Sequence, residues 1–430
     1  MPTGAAKGFL WNNSPMRKSE RAFLSMLPMI GSASTGIKDN AMPPKICLVT
    51  PEYPPLRWGG LARTALRVSE HLAGLGATVH VFHHRTVDGL PPLLDENRTT
   101  EYHGDIVVHE VTVGRETFPQ GRALWDCPHT LTLQMLFESL EMLHREEGFD
   151  AFLSFFLYPT GFVAGLLAKR EGRPHVACAV GNDVKKYVFS PEKTAACRSA
   201  LENPDRLVFL AEDLLALADA LVPIRDKSRV IYNSVVQGAA RWPGPRKQGP
   251  FSVRAAGIFK HAKGLPYLIK AIAALRRTGE IVLDLAGETR PEEIPLRDAL
   301  IDRYGLADVV RPHGVVPHEA MPEWLAQGDV FVLPSVSEGC PNVLMEAMAV
   351  GLPCVATRVG ATTTLVEDGV SGLLVDWGEA GQLETALGRL RADPGLAAAL
   401  GGQAARRMAL FSPERERQEW EAVMREVVVW

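Results

Sequence analysis

The sequence is short of charge imbalance, of paired cysteines and of uninterrupted apolar runs, and each shortage removes a class of function. Its 46 Lys and Arg against 50 Asp and Glu leave a formal charge of −4 over 430 residues. A dedicated nucleic-acid binder would carry a strong basic excess, so that class is set aside. Cys47, Cys127, Cys178, Cys197, Cys340 and Cys354 stand far apart with no CxxC pair. That spacing excludes a zinc ribbon or a disulfide framework and fits a reducing compartment, taken here as the cytoplasm. No Asp-x-Asp occurs, so the closely spaced carboxylates that hold a divalent cation on a diphosphate are missing and no metal is expected. A Gly-x-Ser-x-Gly elbow is missing as well, and no serine hydrolase triad is legible. One stretch, Ala151–Ala168, runs eighteen residues without a charge. Pro159 and Gly161 interrupt it, so it reads as a buried strand, a loop and a helix, not a membrane span.

What is present is the make-up of a globular protein, 46% hydrophobic and 22% charged, which excludes a largely disordered chain. The length predicts two or three domains. Residues 1–43 place Arg17, Lys18 and Arg21 before the weakly apolar Ala22–Ile30. This mimics a signal peptide, yet Ser25 and Pro28 spoil it, and the segment reads as a disordered tail. From Pro44 onward, short β-branched runs alternate with helical periodicity. Lys45–Thr50 reads as a strand, Leu61–Gly74 as a helix and Thr78–Phe82 as a strand, the first βαβ unit. The alternation continues to about residue 236. Gln237–Pro250, rich in Pro and Gly and without periodicity, reads as a linker, and a second alternating series fills residues 251–412. A last helix is expected over Pro413–Val428, with Ser412 as its N-cap. The fold class is therefore α/β, two doubly wound Rossmann-like domains facing a cleft.

The densest stretch is Val332–Cys354. It reads as strand, loop, helix and strand, with Pro341 at the first helical position and Gly351 just past the end. The Ser337–Cys340 loop then delivers backbone N–H groups to a helix start, which favours a phosphate. Cys340 beside it reads as packing, not as a nucleophile. Glu346 lies among Val343, Leu344, Met345, Ala347 and Met348, either on a solvent face or aimed at something polar.

The spacing Glu338…Glu346 closely resembles the paired-glutamate motif of family 4 retaining glycosyltransferases, which have the GT-B fold. Other segments fall in the same order. Gly257–Gly264 with Leu268–Ala271 resembles the family's basic donor-binding segment, Gly59-Gly60 its N-terminal glycine loop, and Gly181-Asn182-Asp183 its acceptor-side loop. Val359-Gly360 and Glu367–Leu374 resemble the segment after the glutamates.

The resemblance implies a retaining transfer of a sugar from a nucleotide diphosphate sugar to an acceptor held by the N-terminal domain. Glu346 would accept from the ribose hydroxyls, and Glu338 would hold the donor sugar. The amides of Gly339, Cys340, Pro341 (which contributes only its ring), Asn342 and Val343 would surround the diphosphate. Lys263 would add a full positive charge there, with Gly257 and Lys260 beside it. Gly59 and Gly60 would let backbone approach from the opposite domain, and His313 and Gly314 would border the base. Asp183 is expected to act on the acceptor side, as a catalytic residue with Glu338 and Lys263. Ile258 stands where the family commonly has Arg, leaving Lys260 or His261 to replace that cation. The last helix is expected to cross back onto the N-terminal domain.

The donor is thus a nucleotide diphosphate sugar. The acceptor is open: a sugar, a small molecule or a lipid-linked glycan, although the folded part shows no basic amphipathic membrane helix. Two other readings share the donor pattern, a nucleotide-sugar 2-epimerase of related fold and a non-catalytic sugar-nucleotide-binding subunit.

Overall fold

Lys45–Thr50 forms β1, buried from Ile46 to Thr50, as a β-branched run flanked on both sides by strands demands. The computed structural model describes residues 43–55, 59–88, 96–115, 130–246 and 248–430. The expected tail lies outside them, apart from its last residue.

Around β1 stands an eight-stranded sheet in the order β3-β4-β2-β1-β5-β6-β7-β8. Its other members are β2 (Thr78–Asp88), β3 (Arg98–His103), β4 (Ile106–Arg115), β5 (Ala151–Phe155), β6 (His175–Ala179), β7 (Arg206–Phe209) and β8 (Ser228–Val230). Every pairing is parallel except that of β3 with β4. β3 reads as loop in the sequence because RTTEYH is polar and mostly exposed. It is an edge strand, which needs only one partner and no buried face. The charge-free stretch divides as expected into β5, a turn over Leu157–Gly161, and a helix over Phe162–Glu171.

The second sheet has six parallel strands in the order β11-β10-β9-β12-β13-β14. They are β9 (Phe251–Ala256), β10 (Ile281–Ala286), β11 (Val310–Gly314), β12 (Val330–Leu333), β13 (Cys354–Thr357) and β14 (Leu373–Val375). The direction of progression reverses between β9 and β12, and between β1 and β5 in the first sheet. At such a reversal the loops leaving neighbouring strands diverge and open a crevice at the carboxyl edge, where ligands bind. The loops after β9 and β12 hold the sequence motifs.

Three helices matter for the site. Helix α1 (Gly60–Gly74) buries Ala62, Ala65, Val68 and Leu72 against the first sheet. Helix α2 (Asn342–Ala349) leaves the loop after β12. Helix α3 (Pro413–Arg425) starts at Ser412, whose hydroxyl accepts from Arg415 N at 3.3 Å, and ends three residues before Val428. Its Trp420 is 1% exposed, with its ring 5.9 Å from that of Phe155 in β5. Glu416 on the same helix accepts from Arg67 of α1 at 2.6 and 3.1 Å.

The Pro- and Gly-rich segment before β9 has no regular secondary structure among its described residues, yet it is fastened to the second sheet. Trp242 is buried and donates from Nε1 to Gly328 O at 2.9 Å, and Arg246 pairs with Asp329.

Candidate functional site

Two glycines bring the loops after β9 and β12 together. Gly264 has φ +63, and a Cβ there would lie 1.9 Å from Pro334 O, so only glycine lets these backbones touch. Val336 N then donates to Ala262 O at 2.8 Å. With the loops locked, Lys263 Nζ reaches Glu338 Oε1 at 2.7 Å, and Ser335 Oγ donates to the same oxygen at 2.6 Å. Gly257, at φ +139, passes beneath the Lys263 side chain. Lys260 lies half-buried on the same edge, and burial, reinforced by the Lys263 charge, lowers its pKa. The pairing of Lys263 with Glu338 joins two residues 75 positions apart.

Helix α2 starts one residue later than the sequence suggests. Pro341 has an extended ψ of 101° and is the N-cap, its carbonyl accepting from Leu344 and Met345 N–H. A proline ring tolerates this half-in position because the missing N–H has no partner there anyway. No side chain caps this start. Cys340 is buried, and desolvation pushes its thiol up to about 12, so it is inert packing as expected. Gly360, at φ +57, sits against the carbonyls of Glu338 and Gly339, and Ala361 N donates to Gly339 O at 2.8 Å.

Glu346 is 8% exposed, so the solvent-face alternative fails. Its Oε1 accepts from Arg63 Nη1 of α1 at 2.7 Å, while Oε2 is buried without a hydrogen-bond partner. His318 Nδ1 lies 2.7 Å from the same Arg63 nitrogen.

The first domain meets this edge at several points. Gly339 approaches so closely that a Cβ would lie 2.0 Å from Val180 O. Lys185 donates to Glu338 O at 3.1 Å and pairs with Asp213, whose carboxylate also accepts from Gly360 N at 3.2 Å. Asn233 donates to Cys340 O and accepts from Thr64, and Asn342 donates to Gly60 O at 3.2 Å. Gly59 is the N-cap of α1 and Gly60 its first residue, so the glycine pair does face the second domain's helix start.

One expected side chain is committed elsewhere. Asp183 is fully buried and accepts from the N–H groups of Leu157, Val180, Gly181 and Val184. Burial raises its pKa against the pull of those donors. Its carboxylate organises the Val180–Gly181 loop, and the catalytic role expected from sequence does not fit a carboxylate whose two oxygens are both engaged by backbone N–H groups. His313 turns its ring to Asp284, Nε2 to Oδ1 at 2.7 Å, which leaves its backbone and Gly314 at the strand end. Sequence reading missed Arg63, His318, Lys185, Asp213 and Asn233. Arg63 alone carried a signal, since a cation near a helix start opposes the macrodipole and such conflicts mark functional positions.

Among the described residues, no group of three or more His, Cys, Asp or Glu is placed to hold a metal ion, and no helix is long and apolar enough to cross a membrane.

Comparison with known proteins agrees with this geometry. Residues 251–393 match the family described as glycosyl transferases group 1, and residues 59–234 match the glycosyl transferase 4-like domain. D-inositol 3-phosphate glycosyltransferase 2 of Catenulispora acidiphila is 29% identical over 409 residues, covering 86% of this chain and 92% of that protein. The D-inositol 3-phosphate glycosyltransferase of Streptomyces coelicolor is 25% identical over 433 residues, covering 88% and 91%. Among solved structures, sucrose-phosphate synthase from Thermosynechococcus elongatus superposes with a TM-score of 0.71 at 22% identity, covering 89% of this chain and 98% of that one. Anabaena Alr3699/HepE in complex with UDP-glucose gives 0.68 at 20% identity, covering 89% and 99%.

Proposed function

The chain belongs to the family 4 glycosyltransferases of GT-B fold, and from that membership we propose a retaining, metal-independent transfer from a nucleotide diphosphate sugar to an acceptor hydroxyl. The observation that carries the donor reading is the buried, unpartnered Oε2 of Glu346, eight residues beyond a Glu338 held by lysine, with an uncapped helix start between them. An ionised carboxylate accepts hydrogen bonds only, so Oε2 suits a ribose hydroxyl. The helix start and Lys263 suit the diphosphate.

In the transfer, the bond from the anomeric carbon to the diphosphate oxygen breaks and the bond to the acceptor oxygen forms on the same face. The acceptor's proton passes to the leaving oxygen. Lys263 and the N–H groups ahead of α2 stabilise the charge that grows on the diphosphate, the task a metal performs in other transferases. Glu338, fixed by Lys263 and Ser335, faces the sugar. Gly339 against Val180 O brings the acceptor domain onto the donor loop, which excludes water.

The relatives' names make D-inositol 3-phosphate the first acceptor to try. UDP-glucose, bound in HepE, is the first donor. The cytoplasm is the proposed compartment, in keeping with five free thiols among the described cysteines.

The test is a thermal-shift panel of nucleoside diphosphates and their sugars, then product analysis with and without acceptor and with a chelator. A melting shift with one nucleoside diphosphate and a chelator-insensitive product that keeps the donor's anomeric configuration are expected. An isomerised sugar nucleotide formed without acceptor would establish the 2-epimerase instead. Inverted product, or loss of turnover with chelator, would overturn the retaining or the metal-independent part.

A further inference from the structure

Three side-chain atoms on the seam between the domains are buried without a hydrogen-bond partner: Glu346 Oε2, Asn342 Oδ1 and Arg63 Nε. They form one patch. Asn342 and Glu346, four apart on α2, share a helix face. Arg63 Nη1 touches Glu346 Oε1 at 2.7 Å. Asn342 Nδ2 donates to Gly60 O at 3.2 Å, one turn before Arg63 on α1. Burying a single unmatched donor or acceptor is costly, and three together define the ligand chemistry that would match them.

That chemistry is narrow. Two of the atoms are acceptors and one is a donor. A phosphate group at neutral pH presents acceptors and negative charge, so it would be repelled by Glu346 and leave Asn342 Oδ1 unmatched. An apolar ring satisfies none of the three. A vicinal diol supplies two O–H donors for Glu346 and Asn342 and an oxygen lone pair for Arg63 Nε.

We propose that Arg63, with the side chain of Asn342, completes the ribose-binding site from across the cleft. The inference rests on the donor reading above and adds to it a positioning residue on the opposite domain. Arg63 holds Glu346 Oε1, so Oε2 is aimed at the diol, and its remaining N–H meets a ribose oxygen. His318 braces the same guanidinium from the second domain. Because Arg63 stands on α1 and Glu346 on α2, the ribose is fully gripped only when the two domains meet. Recognition of the sugar ring of the nucleotide is thereby coupled to closure.

The experiment uses the full chain and the nucleoside diphosphate that binds it best among UDP, ADP and GDP, beside the 2′,3′-dideoxy form of that nucleotide. Affinities are measured by calorimetry for the wild type, Arg63→Ala, Arg63→Gln and Asn342→Ala. The wild type should prefer the ribonucleotide by tenfold or more. Each variant should weaken the ribonucleotide about tenfold, leave the dideoxy nucleotide within threefold of its wild-type affinity, and so lose the preference. A seam ion pair with a purely structural role would lower both affinities together or neither, and that result overturns the proposal. If no nucleoside diphosphate binds the wild type, the donor reading fails first. If one binds and the variants keep the hydroxyl preference, the donor reading stands and only the role of Arg63 falls.

Discussion

Replacing Gly339 by alanine probes the contact that brings the two domains together. The new Cβ would lie 2.0 Å from Val180 O and 3.2 Å from its carbonyl carbon, where real Cβ contacts stay beyond 3.0 Å. Both obstructing atoms are backbone, so no rotamer change gives relief, and φ at Gly339 lies outside the left-handed region, so no local strain confuses the result. The loop ahead of α2 and the Val180–Gly181 loop must part by about 1 Å. Misplacing reacting groups by that much costs on the order of 10²-fold in rate, close to 3 kcal/mol of barrier. Steady-state kinetics at saturating donor and acceptor should therefore show kcat down about 100-fold. The melting temperature should change little, since the domains can separate along the cleft without opening either core. Gly402→Ala is the matched control. It is exposed within a helix with nothing within 4 Å of the added methyl, and should stabilise by roughly 0.5–1 kcal/mol with activity intact. Wild-type kcat in Gly339→Ala would refute the reasoning, because the Val180 contact would then lie outside the reacting geometry. A collapsed melting temperature would refute it differently, by making the glycine a folding residue.

Three further outcomes follow from the same contacts. Lys263→Gln removes the cation facing the proposed diphosphate and should lower kcat/KM by about 10²–10³-fold, as loss of a transition-state charge partner does; kinetics within threefold of wild type would exclude that role. Glu416→Ala leaves Arg67 facing a buried gap, a loss of about 3–5 kcal/mol by analogy with broken buried pairs. An independent route agrees. Partners Arg67, His71 and Ser234 outweigh desolvation and hold Glu416 down to about 2 from 4.5, worth about 3 kcal/mol at 1.36 per unit. That stabilisation is present above pH 4.5 and lost as pH falls toward 2, so in urea melts the gap between variant and wild type should shrink from pH 7 to pH 3 by about 2 kcal/mol, more than half of it. The histidines act earlier in acid. Burial holds His109 down to about 4 and His175 down to about 3 from 6.5. Below pH 6.5 the unfolded chain binds protons that the folded chain refuses, so stability is full above that point and falls with decreasing pH. The loss by pH 5 is on the order of 2 kcal/mol per histidine, and stability flat between pH 7 and 5 would contradict it.

Much of the fold was legible because buried parallel strands write themselves plainly. KICLVT and FSVRAA are unbroken runs between helical periods, and both are strands at the expected residues. Among the strands that escaped detection, the four-residue Arg206–Phe209 lies inside the sheet but is too short to show a period, while Arg98–His103 and the three-residue Ser228–Val230 are edge elements held by one neighbour. Their residues need no apolar face, so periodicity is silent. Within the site, Lys263, Glu338 and Glu346 stood out as motif residues. Their geometry followed from two glycine approaches that local pattern cannot reveal.

Sequence by itself determined the α/β alternation, the helix start after Glu338, the inert Cys340 and the family, since each is written in local spacing. Tertiary structure decided what lies across the cleft. It showed that Asp183 serves its own loop, that Gly339 touches Val180, and that Glu346 faces Arg63, 283 residues away in the chain. Local propensity acts over a few residues. The pairing of two charges on different domains depends on how two sheets dock, and only the folded chain carries that information.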